Sequence, residues 1–377
     1  MSFDRAAFAD KIRRSMEHLN VDPAEVITGT GIPEERLSSL RAGKADPTGD
    51  EVLILADFFD CDYKFFISNE RLAAFEETDS LYRKHGSLFS KTDRRAIQQF
   101  LYLCECESWL WTQSHHRSDS FAFVPRGTNY KAQGHAAAKE LRAHFKYKDE
   151  EVPSDVFRDL RRLGIHVFRR KLENSSISGV MIRHPEAGRC ILVNFDEDVY
   201  RQRFTAAHEL AHALMEDSEF NVSLSKDGSN LVEVRANGFA SHYLVPPTFA
   251  RAILSSVHAW NNASIVDWAK RLRVSTEMLR ISLKEQQIID SNTFDQLRGV
   301  RVPRDQKVDP EIASESGRSR ERKLSLLQRG LSMHYVNECL EALDSGQISR
   351  ARAAEMLLIR EHEMSEIKSL FTTGGAQ

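Results

Sequence analysis

The stretch FTAAHELAHALME, Phe204 to Glu216, sets two histidines four residues apart with a glutamate beside the first. On a helix, positions i and i+4 share a face, with Cβ atoms about 6 Å apart. His208 and His212 can therefore aim their imidazoles at one cation. Glu209, beside them, can take a proton from a water without being a ligand itself. The same pattern can arise by chance in a chain with 14 histidines. Here, however, Phe204, Ala207, Ala211 and Leu214 supply an apolar backing that would bury the helix. Two buried histidines and a glutamate are costly unless something pairs them, and a metal does so. A catalytic zinc site takes three protein ligands and keeps one position open. The segment VEVRANGFASHYLVP offers Glu233 as the third, 21 residues after His212. Asn237 lies one turn later, placed to orient a ligand. Taken alone, Glu233 would read as a solvated helix glutamate. His242 falls nine residues after Glu233, about opposite it on an ideal helix. It reads as a packed or surface histidine, with a transition-state donor as the alternative. Cys190 is a candidate thiolate cover for the metal, although a cysteine in a strand is more often core.

The elements that must position these residues follow from periodicity and breakers. IHVFRR looks like a strand, and ISGVMIRHPEAGRCILVNF looks like a hairpin turning around His184 to Gly188. The histidine helix follows, and NLVEVRANGFASHYLV is a second helix stopped by Pro246 and Pro247. SIVDWAKRLRVSTEMLRISL gives two more short helices. Upstream, SDVFRDLRRLG is a helix ending at Gly164, and GHAAAKELRAHF is another.

RFTAAHELAHALM, followed after a short gap by EVRANGFASHYLVP, resembles the ImmA/IrrE family of metallopeptidases. The likeness runs over roughly residues 135–290 and is carried by the two helices and, less closely, by the hairpin. It implies a zincin-like domain with a small β-sheet. It also implies metal ligands His208, His212 and Glu233, and catalytic Glu209. Zinc suits two imidazoles and a carboxylate, while manganese or iron could take the same ligands. Arg235 stands where the family commonly has an acid, and His242 where it commonly has a glutamate. Neither change removes a ligand, and both bear on substrate preference. The substrates that the resemblance implies are helix-turn-helix repressors or antitoxins, cut to release stress, mobile-element or defence genes.

Residues 1–70 are expected to be all-helical. VDPAEVITGTGIPEERLSSLRAGKADPTGDEVLILADFF resembles the Xre/Cro-like helix-turn-helix module. Its recognition helix would be Pro33 to Ala42, with Arg36, Ser38, Ser39, Arg41 and Lys44 as DNA contacts in the major groove. The charge is awkward: 8 Lys/Arg stand against 14 Asp/Glu, a net −6, and Glu34 and Glu35 open that helix. Carboxylates can accept from cytosine N4 but repel phosphates. A homodimer would concentrate the few basic contacts, and an interaction module is the alternative reading.

The chain has 377 residues with 41% hydrophobic, 28% charged and a net charge of −3. It is soluble and globular in composition, and any nucleic-acid contact must come from a local patch. No signal-peptide core or apolar run of membrane-spanning length occurs. Five scattered cysteines without a C-x-x-C pair fit a reducing cytoplasm. The expected fold class is α+β and mostly helical. The expected order is a helix-turn-helix domain (1–70), a helical connecting region (71–134), a zincin-like metallopeptidase domain (135–300), a polar linker (301–322) and a small helical C-terminal domain (323–377). The function expected is a cytoplasmic regulator that joins DNA binding to zinc-dependent endopeptidase action on a repressor, an antitoxin or itself. The alternative is a transcription factor or antitoxin whose metallopeptidase-like domain senses or scaffolds without cutting.

Overall fold

The computed structural model describes residues 3–61, 63–68, 76–216, 220–224, 230–252, 254–312 and 317–372. Residues 71–75 of the expected connecting region and 313–316 of the expected linker lie outside them. The chain divides into two compact units, Met1–Leu103 with Leu172–Asn174, and Cys104–Lys171 with Ser175–Gln377.

The first unit is helical: α1 (Arg5–Leu19), α2 (Pro23–Thr30), α3 (Glu34–Arg41), α4 (Gly49–Phe58), α5 (Tyr63–Ile67), α6 (Glu76–His85) and the start of α7 (Lys91–Gln113). Local chemistry sets the ends. Asp22 and Glu25 form a capping box on α2, with Pro23 at the first position, and Gly31 ends the helix at φ 72°. Thr48 and Glu51 form a second capping box on α4. Phe8, Ile12, Leu19, Val26, Leu37, Leu40, Leu55, Phe59 and Phe66 close one core. On α3, Arg36 is committed to its own unit. Its guanidinium holds both oxygens of Glu51, at 2.6 and 2.8 Å, and the Asp46 carbonyl at 2.7 Å. Ser39 donates to the Glu35 carbonyl at 2.9 Å, while Ser38 and Lys44 face solvent and Arg41 is half-buried.

The second unit takes the end of α7, then α8 (Tyr130–His144), α9 (Val156–Arg162), β1 (His166–Arg170), β2 (Ile177–His184), β3 (Gly188–Asn194), α10 (Val199–Met215), β4 (Phe220–Leu224) and α11 (Leu231–Leu244). It continues with α12 (Pro247–Ala252), α13 (Asn262–Leu272), α14 (Thr276–Glu285), α15 (Ser291–Gln296), α16 (Gly317–Gln328), α17 (Met333–Asp344), α18 (Arg350–Met356) and α19 (Met364–Thr372). The sheet order is β1-β3-β2-β4. β1 runs parallel to β3, and β2 is antiparallel to both β3 and β4. The hairpin turns at 185–187, where the sequence places it. β4 is an edge strand that the sequence reading did not identify.

Both faces of the sheet are covered, so β2 and β3 read as almost continuous apolar runs rather than alternating ones. Met181, Ile191 and Val193 join the core built with α10 and α11. On the other face, Phe168 meets Tyr335 of α17 edge-on at 5.4 Å. Cys190 lies there too, buried beside Cys104 of α7. Successive strand residues point to opposite faces, so this thiol is turned away from α10 and cannot cover a metal held there.

Residues 302–312 are anchored to the domain, although their polar composition reads as linker. Asp309 and Glu311 grip the buried Arg169 at 2.7 to 3.0 Å, Glu311 also reaches Arg161 at 3.3 Å, and Ile312 is buried. Their charges are spent on buried arginines rather than on solvent.

Candidate metal centre

α10 crosses the sheet and α11 packs against α10 and α8. Asn230 caps α11 by accepting from Val232 N, which puts Glu233 in the first turn, where a helix favours negative charge. His208, Glu209, His212 and Glu233 are 5%, 0%, 0% and 6% exposed.

The structure brings the expected trio together. His208 Nε2 lies 3.0 Å from Glu233 Oε2, His212 Nε2 lies 3.3 Å from Glu233 Oε1, and the two Nε2 atoms are 3.0 Å apart. Each imidazole is fixed from behind. His208 Nδ1 donates to Asn237 Oδ1 at 3.0 Å, and His212 Nδ1 donates to Glu216 Oε1 at 2.8 Å. With the protons on Nδ1, both Nε2 atoms present lone pairs to one point. Without a cation, burial is outweighed by hydrogen bonds to Glu216 and Glu233, which push the His212 pKa up to about 10, so a bound metal takes the place of a proton on Nε2. Burial raises Glu233, but the same imidazoles outweigh it and hold the carboxyl far below its usual range. Two imidazoles and a carboxylate converging in a buried site need a positive charge between them, a proton or in its place a metal cation. Tetrahedral zinc with bonds of about 2.0–2.1 Å has ligand edges near ~3.3 Å, close to the spacings found. The donor set therefore fits zinc.

Glu209 stands apart from the trio. Both its oxygens are buried outside good hydrogen-bond geometry, and burial pushes its pKa up against the pull of His212, His208 and the Ser223 hydroxyl. It lies against Gly179 of β2. A Cβ there would sit 2.8 Å from Glu209 Oε1 and 2.7 Å from Thr205 Cγ2, so only glycine leaves room. A cleft of about 790 Å³ borders the site at Phe204 and Asn237.

His242 takes no part in the converging group. It stacks on His135 of α8, with ring centroids 3.4 Å apart. Burial, with His135 and Lys131 nearby, drives its pKa down to about 3. Its place across the helix from Glu233 is what the nine-residue spacing predicts.

The sequence alone points to neither Glu216 nor Gln133 as support, and to Arg235 only as bearing on substrate preference. Glu216 fixes His212, Arg235 reaches Glu216 at 3.3 Å, and Gln133 of α8 accepts from Arg235 at 3.2 Å. Glu216 had a visible signal, four residues after His212 on the same face. Arg235, at a position where an acid is common, pairs here with that glutamate. Replacing Asn237 by alanine should leave the fold intact and weaken zinc binding by about 10–100-fold, read by competition with a chromogenic chelator. An unchanged affinity would show that His208 needs no such support.

An H-E-x-x-H helix with a glutamate from the next helix, below a small mixed sheet, defines a zinc metalloendopeptidase centre of zincin type. Residues 160–284 match the model of a peptidase family described as the IrrE N-terminal-like domain. This segment, which holds all three ligands, is thus an IrrE-like metallopeptidase domain. No curated protein and no solved structure matches the chain. Among the described residues, no helix is long and apolar enough to cross a membrane.

Proposed function

We propose that this chain is a cytoplasmic regulator whose endopeptidase cuts a helix-turn-helix repressor or antitoxin, or the chain itself, to switch on stress, mobile-element or defence genes. The observation that carries the peptidase half is the convergence of His208, His212 and Glu233 beside a buried Glu209. When bound, zinc supplies Lewis acidity, which acidifies water and polarises a carbonyl. The chain's residues do the rest. Glu209 takes the proton of the attacking water and delivers it to the nitrogen of the breaking peptide bond. Asn237 and Glu216 keep the imidazoles in the tautomer that leaves Nε2 free. Glu209, His208, His212 and Glu233 are thus the proposed site residues, with Asn237 in support.

The proposed regulator includes residues 1–70 as a DNA-binding module, acting as a homodimer on an operator. Helices α2, α3 and α4 support it, with Ser38 and Lys44 exposed. Leu53 and Ile54 of α4 and Tyr63 and Ile67 of α5 offer apolar surface for a second copy. Because Arg36 is tied to Glu51, Ser38, Arg41 and Lys44 carry more of the proposed contact.

The test incubates zinc-loaded chain with the repressor or antitoxin encoded beside its gene and maps fragments by mass spectrometry. A single cut, absent with Glu209→Gln, supports the reading. No cut in that partner or in the chain itself would leave the sensor or scaffold alternative. For the DNA half, a mobility shift on the adjoining operator should be lost with Arg41→Ala and Lys44→Ala combined.

A further inference from the structure

A second group of potential ligands lies on the opposite face of the sheet from the peptidase centre. One ligand atom from each of Glu107 (α7), His334 and Glu338 (α17) lies within 4.8 Å of the other two. His334 and Glu338 are four residues apart and share a face of α17. His334 Nε2 is 3.2 Å from Glu338 Oε1, without hydrogen-bond alignment. The Glu107 side chain is 0% exposed. Its Oε2 takes a 2.7 Å hydrogen bond from His166 Nδ1 on β1, and its Oε1 is buried with no partner. Glu338 repeats the pattern: Oε1 accepts from Trp111 Nε1 at 3.2 Å, and Oε2 is buried without a partner. Trp111 in turn stacks on His166 at 4.2 Å, packing the ring that orients Glu107.

One donor atom from each of the three residues thus lies within reach of the other two, while His166 holds Glu107 and Trp111 holds Glu338. Two carboxylates are brought together and, among the described residues, no lysine or arginine pairs with either. Leaving such groups uncompensated is costly. His334, with 37% of its side chain exposed, leaves a path from solvent.

We propose that Glu107, His334 and Glu338 bind a divalent cation that staples α17 to α7 beside β1. Two carboxylates and one imidazole form a harder set than the peptidase trio, suited to Mn²⁺ or Fe²⁺ as well as Zn²⁺. The ion binds the folded chain and not the unfolded one, so it raises stability as its concentration rises.

The test counts Mn²⁺ on the chelator-stripped full chain by electron paramagnetic resonance and atomic emission. Wild type should bind two ions, His208→Ala with His212→Ala one, and the further change His334→Ala or Glu107→Gln none. The converse variant, Glu107→Gln with His334→Ala in an intact peptidase centre, should bind one, which keeps the test valid if the first variant misfolds. In the His208→Ala/His212→Ala background, Mn²⁺ should also quench tryptophan fluorescence, and the quenching should shrink with Trp111→Phe. A folded His208→Ala/His212→Ala chain that binds no Mn²⁺ overturns the proposal. So does an ion that survives loss of both His334 and Glu107.

Discussion

Glu209→Gln is expected to lower turnover by about 10²–10⁴-fold, the usual worth of a positioned acid–base group, while zinc content stays the same. Glutamine keeps the shape that Gly179 accommodates but cannot accept a proton. Because Glu209 is not among the converging ligands, its loss leaves the trio intact. The same substitution should not destabilise the domain. Burying the ionised carboxylate costs stability, and glutamine at the same place carries no charge. The sign of the pH dependence follows. Burial raises the folded pKa of Glu209 above the ordinary carboxyl range, so ionisation opposes folding. On metal-free protein, the glutamine variant should be the more stable near neutrality. The gap should close as pH falls from the folded pKa through the unfolded one. Activity within tenfold of wild type, in protein freed of contaminating peptidase, would remove Glu209 from the proton transfer.

Gly134→Ala is expected to be the most damaging single methyl in the domain. A Cβ at this α8 position would sit 2.2 Å from the Arg235 carbonyl oxygen and 2.8 Å from Phe239 N, both backbone atoms of α11. Backbone cannot rotate aside, so the helices must separate. Overpacking of this kind costs about 3 kcal/mol, or roughly 6–12 °C in Tm for a unit of this size. The displaced element carries Glu233 and Asn237, so zinc affinity should fall as well. Gly238→Ala is the internal control. Its nearest backbone contact, Lys131 O, would be 3.2 Å away, and the others are side-chain atoms of His135. Equal melting temperatures for the two variants would show that the helices are not in backbone contact through Gly134.

The paired histidines could be read from residues because they share one helical face, whereas Glu233, alone a solvated-looking glutamate, took its place from the family resemblance. The ends of α2 and the start of α4 are set locally, since Asp22, Pro23, Gly31 and Thr48 act within a few residues of chain. What escaped is set by contacts distant in sequence. Arg235, which the sequence marks only as bearing on substrate preference, acquires its supporting role when Glu216 and Gln133 are brought to it. Asp309 and Glu311 look like linker until Arg161 and Arg169 meet them. Strand β4 is FNVSL, too short and too mixed in polarity to announce itself, and only pairing with β2 makes it a strand. Cys190 could not be assigned to a face without the register that seats it opposite Ile182.

Arg203, on the helix that carries both histidines, is fully buried, and burial pulls its pKa down to about 10. Among the described residues its guanidinium is held by main-chain carbonyls: Pro153 at 2.6 Å, Ser154 at 2.9 Å and Arg273 at 3.1 Å. During synthesis, the last of these leaves the ribosome well after Glu233. A nascent polypeptide interrupted in that interval already owns every zinc donor, yet its cationic anchor is still missing an acceptor. A chain cut short in that interval should therefore hold its histidine helix less firmly than the full domain does, seen as a lower melting temperature.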